Sequence, residues 1–99
     1  GLQSAAQTLV ERLGDTAAVV LGGLPDPSDT GKVILVAAFG KDVIGSGLQA
    51  GKFIGGIAKL CGGGGGGRPN LAQAGGRDGS ALTDALAKAR SELAAGLQS

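Results

Sequence analysis

Apolar residues recur at helical spacing along the start of the chain. Leu2, Ala6, Leu9, Val10 and Leu13 share one side, with Gln3, Gln7, Glu11 and Arg12 elsewhere on the surface. This spacing predicts a helix stopped by Gly14, since glycine suits the left-handed cap of a helix end. The period then changes. Ala17–Leu21 (AAVVL) is a short unbroken apolar run, as expected of a strand covered on both faces, and Val33–Phe39 (VILVAAF) is a second and stronger one. Between them, Gly22–Gly31 (GGLPDPSDTG) has the glycine, proline and aspartate chemistry of a loop, long enough for the two strands to pair as antiparallel neighbours. Val43-Ile44 reads as a further brief strand.

From Leu48 to Cys61 the pattern is helical again. Phe53, Ile54, Ile57, Leu60 and Cys61 fall on the side expected to be buried, while Lys52 and Lys59 share another. Gly55 and Gly56 each weaken such a helix by about 1 kcal/mol relative to Ala, so both are expected to serve close packing against a sheet or a partner. Gly62–Gly67 is expected to end the helix and form a loop, from which Leu71–Ala74 leaves as a strand. Ser80 or Asp78 then caps a last helix with Leu82, Ala85, Leu86, Ala89 and Leu93 as its buried stripe. The order predicts one small α/β (α+β) domain, a sheet of about three to five strands packed with about three helices. Residues 15–99 form its globular part, and residues 1–14 are either its first helix or the end of a preceding helical segment.

Composition changes the picture in two ways. Glycine supplies 21 of 99 residues, and Phe39 and Phe53 are the only aromatics. The core must therefore come from Val, Ile, Leu and Ala, and base stacking cannot be a main mode of any nucleic-acid recognition. Net charge is only +1, but it is unevenly spread: residues 1–39 balance at −2, residues 40–77 at +4 and residues 78–99 at −1. Lys41, Lys52, Lys59, Arg68 and Arg77 surround the glycine run. Either this is an ordinary solvated face or it is an anion-binding one.

Catalytic chemistry is sparse. There is no histidine, which excludes Ser-His, Cys-His and His-metal sites, and the carboxylates show no metal-ligand spacing. Asp26 and Asp29 read as turn formers. Cys61 has no acid/base partner in sequence and reads as a small core residue. No catalytic and no metal-binding residue is expected. A lone cysteine, no signal-peptide pattern and no apolar run near the roughly 18 residues of a membrane span point to a cytoplasmic or organellar matrix or stromal location, and to no membrane partner. A chain without Met that opens inside a helical pattern reads as part of a larger protein.

The glycine run has two readings. Successive backbone N–H groups of residues without Cβ can converge on an anion as a nest, with Arg68 adding a bidentate phosphate contact. Alternatively, the run is a flexible linker. The patterned helix before it and the sharp Arg68-Pro69-Asn70 stop after it favour phosphate binding. It is no Walker loop, since no Gly-Lys-Ser/Thr follows. Gln73 either bonds a ribose or base edge or satisfies loop backbone. The candidate nucleic-acid-binding set is Lys52, Lys59, Gly62, Gly63, Gly65, Gly66, Gly67, Arg68, Gln73 and Arg77.

The stretch AGKFIGGIAKLCGGGGGGRPNLAQAGG, Ala50–Gly76, resembles the C-terminal domain of alanyl-tRNA synthetases, a DHHA1 domain. Upstream, Ala5-Ala6-Gln7, AAVVLG and GKVILVAAFGKDV resemble the same domain in order and spacing, so the likeness covers nearly the whole chain. It implies a non-catalytic α/β module that docks on the outer corner of tRNA, where the D and T loops meet, and supports aminoacylation and editing by other domains. It also implies alanine-specific tRNA and the other synthetase domains as partners, with a homodimer as a further option. The ATP, Mg and editing-domain Zn of an alanine–tRNA ligase would then act outside this chain. Two departures stand out. Many relatives place Lys where this chain has Gly64, and DHH-type phosphoesterases place His where it has Arg68. The competing readings are the nucleotide-clamping half of such a phosphoesterase, and a dimerisation module using the first helix.

Overall fold

The structure, a computed structural model, describes residues 2–24, 28 and 31–98. Its elements run α1 (Leu2–Leu13), β1 (Ala18–Gly23), β2 (Val33–Phe39), α2 (Lys41–Gly45), α3 (Ala50–Ala58), a 3-10 turn (Lys59–Cys61), β3 (Gly64–Gly67), β4 (Leu71–Gly76), a second 3-10 turn (Gly79–Ala81) and α4 (Leu82–Gln98). The four strands form one sheet in the order β1-β2-β4-β3, each neighbouring pair antiparallel. The small α+β domain expected from the pattern is what forms, with four helices rather than about three. Of the connection between β1 and β2, Pro25, Asp26, Pro27, Asp29 and Thr30 lie outside the described residues.

Strand alternation divides β2 between two apolar clusters. Val33, Leu35, Ala37 and Phe39 join Ala72 and Ala74 of β4 under α3 and α4, where Ile54, Ile57, Ala58, Cys61, Ala85, Ala89 and Leu93 complete the main core. Val36 and Ala38 face the other way and meet Ala6 and Val10 of α1, with Val19, Leu21 and Leu71. Helices thus cover both faces of the sheet. The rings of Phe39 and Phe53, 5.6 Å apart and tilted, tie β2 to α3.

Several local expectations change. Val43-Ile44 lies in α2, not in a strand: the Ile44 N–H donates to the Gly40 C=O at 3.1 Å, and Val43 points into the core. Leu60 is 42% exposed because the chain tightens into a 3-10 turn after Ala58, which rotates it off the buried side. On α1, only Ala6 of the assessed stripe is fully buried; Leu9 and Leu13 remain 40% and 65% exposed. Gly14 does end that helix, at φ 101° and with its N–H on the Val10 C=O at 2.9 Å. Ahead of α4, the Ala81 N–H donates to the Asp78 C=O at 3.3 Å; the side chain of Ser80 lies outside the described residues.

The largest correction concerns Gly62–Gly67. Only Gly62 behaves as a helix cap, at φ 70° with its N–H on the Lys59 C=O at 3.1 Å. Gly64–Gly67 is not a loop but the edge strand β3. The Arg68 N–H donates to the Leu71 C=O at 3.0 Å, and the antiparallel alternation from that bond makes Gly66–Gln73 and Gly64–Gly75 the hydrogen-bonded pairs. Gly65 and Gly67 therefore turn their N–H and C=O away from β4. There they meet α3. A Cβ on Gly51 would lie 2.7 Å from the Gly67 oxygen, and one on Gly55 would lie 3.0 Å from the Gly65 oxygen. Gly51 and Gly55, one helical turn apart, let the helix backbone rest on the strand backbone and shield the sheet edge. Gly56, by contrast, is exposed and has nothing within 4 Å of a built Cβ.

Two substitutions separate these roles. Gly51→Ala is expected to destabilise the domain by about 1–3 kcal/mol through overpacking. Gly56→Ala is expected to stabilise it by about 0.5–1 kcal/mol. Urea titrations followed by far-ultraviolet circular dichroism measure both.

Candidate nucleic-acid interface

The β3–β4 hairpin is anchored at its tip. The Pro69 C=O accepts the Ala50 N–H at 2.9 Å, and the Asn70 C=O accepts the Phe39 N–H at 2.9 Å. Arg68-Pro69-Asn70 is thus held between the start of α3 and the end of β2, which fixes where the Arg68 side chain leaves the backbone. At the other end, the Gly63 N–H donates to the Ala58 C=O at 3.0 Å, and the Arg77 N–H donates to the Cys61 C=O at 2.7 Å.

This arrangement alters the chemistry expected of the glycines. A nest needs N–H groups converging on one point, but here the run is extended and only Gly62 and Gly67 among the six have positive φ. The N–H groups of Gly62 and Gly63 are bonded to the preceding helix, those of Gly64 and Gly66 face β4, and those of Gly65 and Gly67 face α3. Hydrogen bonds to the preceding turn and to β4 take up the N–H groups of Gly62, Gly63, Gly64 and Gly66, and the extended run brings no set of N–H groups to one point. What the strand offers is a side-chain-free ridge, exposed from Gly64 to Gly67, between two shallow grooves.

One groove, of about 440 Å³, lies between α3 and β3 and is lined by Lys52 and Lys59 with Gly51, Gly55, Gly56, Gly64 and Gly65. The two lysines, seven residues apart, stand about 10 Å apart along the axis. The other groove, of about 320 Å³, lies between α1 and the hairpin and is lined by Gln3, Gln7, Arg68, Asn70 and Gln73 beside Gly66, Gly67, Leu71 and Ala72. Neither lining contains a carboxylate. A third groove, beside Gly14 and α2, carries Glu11, Asp15 and Lys41.

The ten candidate residues therefore do not share one pocket. Lys52, Lys59 and Gly65 fall on one bank of β3, and Gly66, Gly67, Arg68 and Gln73 on the other. Gly62, Gly63 and Arg77 cluster at the far end, where Asp78 follows Arg77. Lys52, Lys59, Arg68, Gln73 and Arg77 are all exposed. Pattern reading missed Gln3, Gln7 and Asn70, because only the packing of α1 over the sheet brings residues 3–7 beside residues 66–73. Gly64, the position noted in the sequence as one where many relatives carry Lys, is exposed, has ordinary φ and has open space around a built Cβ.

Cys61, read from sequence as a core residue, is fully buried. Burial raises its thiol pKa, and the Asp78 charge adds a smaller push in the same direction. Both favour the neutral thiol.

The fold and surface define a small α+β module with a cation- and amide-lined sheet edge. Residues 1–95 match the DHHA1 domain, and the chain belongs to that family. It is 80% identical over 97 residues to the alanine–tRNA ligase of Parasynechococcus marenigrum (strain WH8102), covering 98% of this chain and 11% of that protein. It is likewise 80% identical over 98 residues to the alanine–tRNA ligase of Synechococcus sp. (strain CC9902), covering 99% of this chain and 11% of that protein. The chain thus spans about a tenth of the length of these relatives. Among solved structures, the C-Ala domain from Aquifex aeolicus alanyl-tRNA synthetase matches with a TM-score of 0.67 and 26% identity, over 92% of this chain and 79% of that one. Among the described residues, no helix is long and apolar enough to cross a membrane.

The raised Cys61 pKa gives a signed pH effect. A thiol held neutral in the fold contributes stability that is complete below the unfolded thiol's ordinary value, about 8.5, and is lost as pH climbs through the folded value. The urea midpoint is therefore expected to fall more between pH 7 and pH 10 in the native chain than in Cys61→Ala.

Proposed function

We propose that this chain is the tRNA-binding C-terminal domain of an alanine–tRNA ligase. In this reading it docks on the outer corner of tRNA and supports aminoacylation and editing carried out by other domains. The observation that carries the proposal is the glycine ridge with cations on both banks and no carboxylate in either lining. The names of its relatives supply the kind of RNA.

The chemistry follows from the geometry. With no converging set of backbone N–H groups, phosphate contact falls mainly to side chains: Lys52 on α3 and Lys59 on the turn after it as point charges, and Arg68 as a planar fork at the hairpin tip. The bare ridge lets an RNA backbone approach closely, because no side chain stands between the two charged banks. The ATP, Mg and Zn of the whole ligase would act in its other domains.

For about three to five phosphates contacted, the logarithm of the association constant for an alanine tRNA transcript is expected to fall with log salt at a slope of roughly −2 to −4. Lys59→Ala and Arg68→Ala should each weaken binding and flatten that slope by about 1. Gly64→Lys places a cation in open space beside Lys52 and Lys59, so it should tighten binding and steepen the slope by about 1. Gel-shift titrations across a salt series measure all three. Unchanged retention by both alanine variants would overturn the proposal.

A further inference from the structure

We infer that the groove between α1 and the β3–β4 hairpin binds the neutral hydrogen-bonding edge of an RNA nucleotide, its ribose 2′-hydroxyl or adjoining base edge, rather than a phosphate; the inference rests on the tRNA-binding reading above.

Four carboxamides line this one groove. Gln3 and Gln7 are one turn apart on α1 and so share a face. Gln73 lies on the α1 side of β4, because its neighbours Ala72 and Ala74 point into the core beneath α3 and α4. Asn70 comes from the hairpin tip, where its own backbone is pinned to β2. Among the described residues, no hydrogen bond occupies the side chains of Gln3, Gln7, Asn70 or Gln73.

A carboxamide has two donor hydrogens and an acceptor oxygen, and carries no charge. It matches a partner that also donates and accepts, as a 2′-hydroxyl or a base edge does. A phosphate only accepts, and the site suited to it is the lysine-lined bank across the ridge. Arg68 is the one charge in the amide groove, and it stands at the tip, placed for the phosphate next to the recognised nucleotide. Half-buried Leu71 and the backbone of Ala72 close the floor, and no aromatic ring lines it, so recognition here is by edge rather than by stacking. The two banks divide the work: cations locate the backbone, and amides read what lies beside it.

The test titrates the 99-residue chain with an alanine tRNA transcript and with the same transcript carrying 2′-deoxy nucleotides in the D and T loops. The double variant Gln7→Ala/Gln73→Ala is expected to bind the native transcript about tenfold more weakly. Its salt slope should stay that of the unmodified chain, and circular dichroism should stay native, since both residues are exposed. If the double variant also ceases to distinguish the two transcripts, the contact is to the 2′-hydroxyl; if it still distinguishes them, the contact is to a base edge. Affinity within twofold of the unmodified chain, or a flattened salt slope, overturns the inference. Lys52→Ala/Lys59→Ala in the same titration separates the two levels. Weakening by the lysine pair alone removes only the groove inference, whereas no weakening by either pair removes the tRNA-binding reading itself.

Discussion

The close approach of α3 to β3 is the constraint on which the rest of the molecule depends. An edge strand leaves a row of N–H and C=O groups without partners. Here the helix lies directly against that row, with Gly51 above Gly67 and Gly55 above Gly65. A Cβ on Gly51 would force the two backbones apart, and one on Gly55 would press tightly on the Gly65 oxygen. The same helix carries Ile54, Ile57 and Ala58 into the main core, so its position against the strand and its burial of apolar surface are set together. Lys52 and Lys59 then have no freedom to move away from the ridge as a unit. The placement of the charged bank is a by-product of how the sheet edge is closed.

This geometry assigns the glycines a different task from the one their sequence suggests. They form an extended strand rather than a loop whose amides converge on one point. They make a strand thin enough to be buried against a helix on one side and exposed on the other, and the surface chemistry passes to neighbouring side chains. One bank is cationic and the other amide-rich, so contacts that depend on salt and contacts that do not are spatially separated. The hairpin tip joins them, and its backbone bonds to Ala50 and Phe39 hold Arg68 at the junction.

Much of the fold could be read from the chain. The unbroken apolar run of Val33–Phe39 marks the central strand, and the stripe from Leu82 to Leu93 marks the closing helix, because both patterns arise from burial that local spacing records. What failed was local geometry under tertiary control. Val43-Ile44 is β-branched and apolar, yet Gly40 and the core contact of Val43 turn it into a short helix. Glycines 64–67 carry no hydrophobic pattern at all, so nothing in them announces a strand; pairing with β4 and the covering helix create it. The cationic candidates were legible from charge and spacing. Gln3, Gln7 and Asn70 were not, since their meeting with Gln73 is a product of topology.

The strand between the two banks has a further consequence for local stability. Glycine gives up more conformational freedom on folding than any other residue, and β3 contributes no side chain to either apolar cluster. The seam between α3 and β3 is therefore expected to exchange its amide protons with solvent more readily than the central strands β2 and β4. A ligand that touched both banks at once would bridge that seam, so occupancy would be felt first as slower breathing of the edge, before any change in the core.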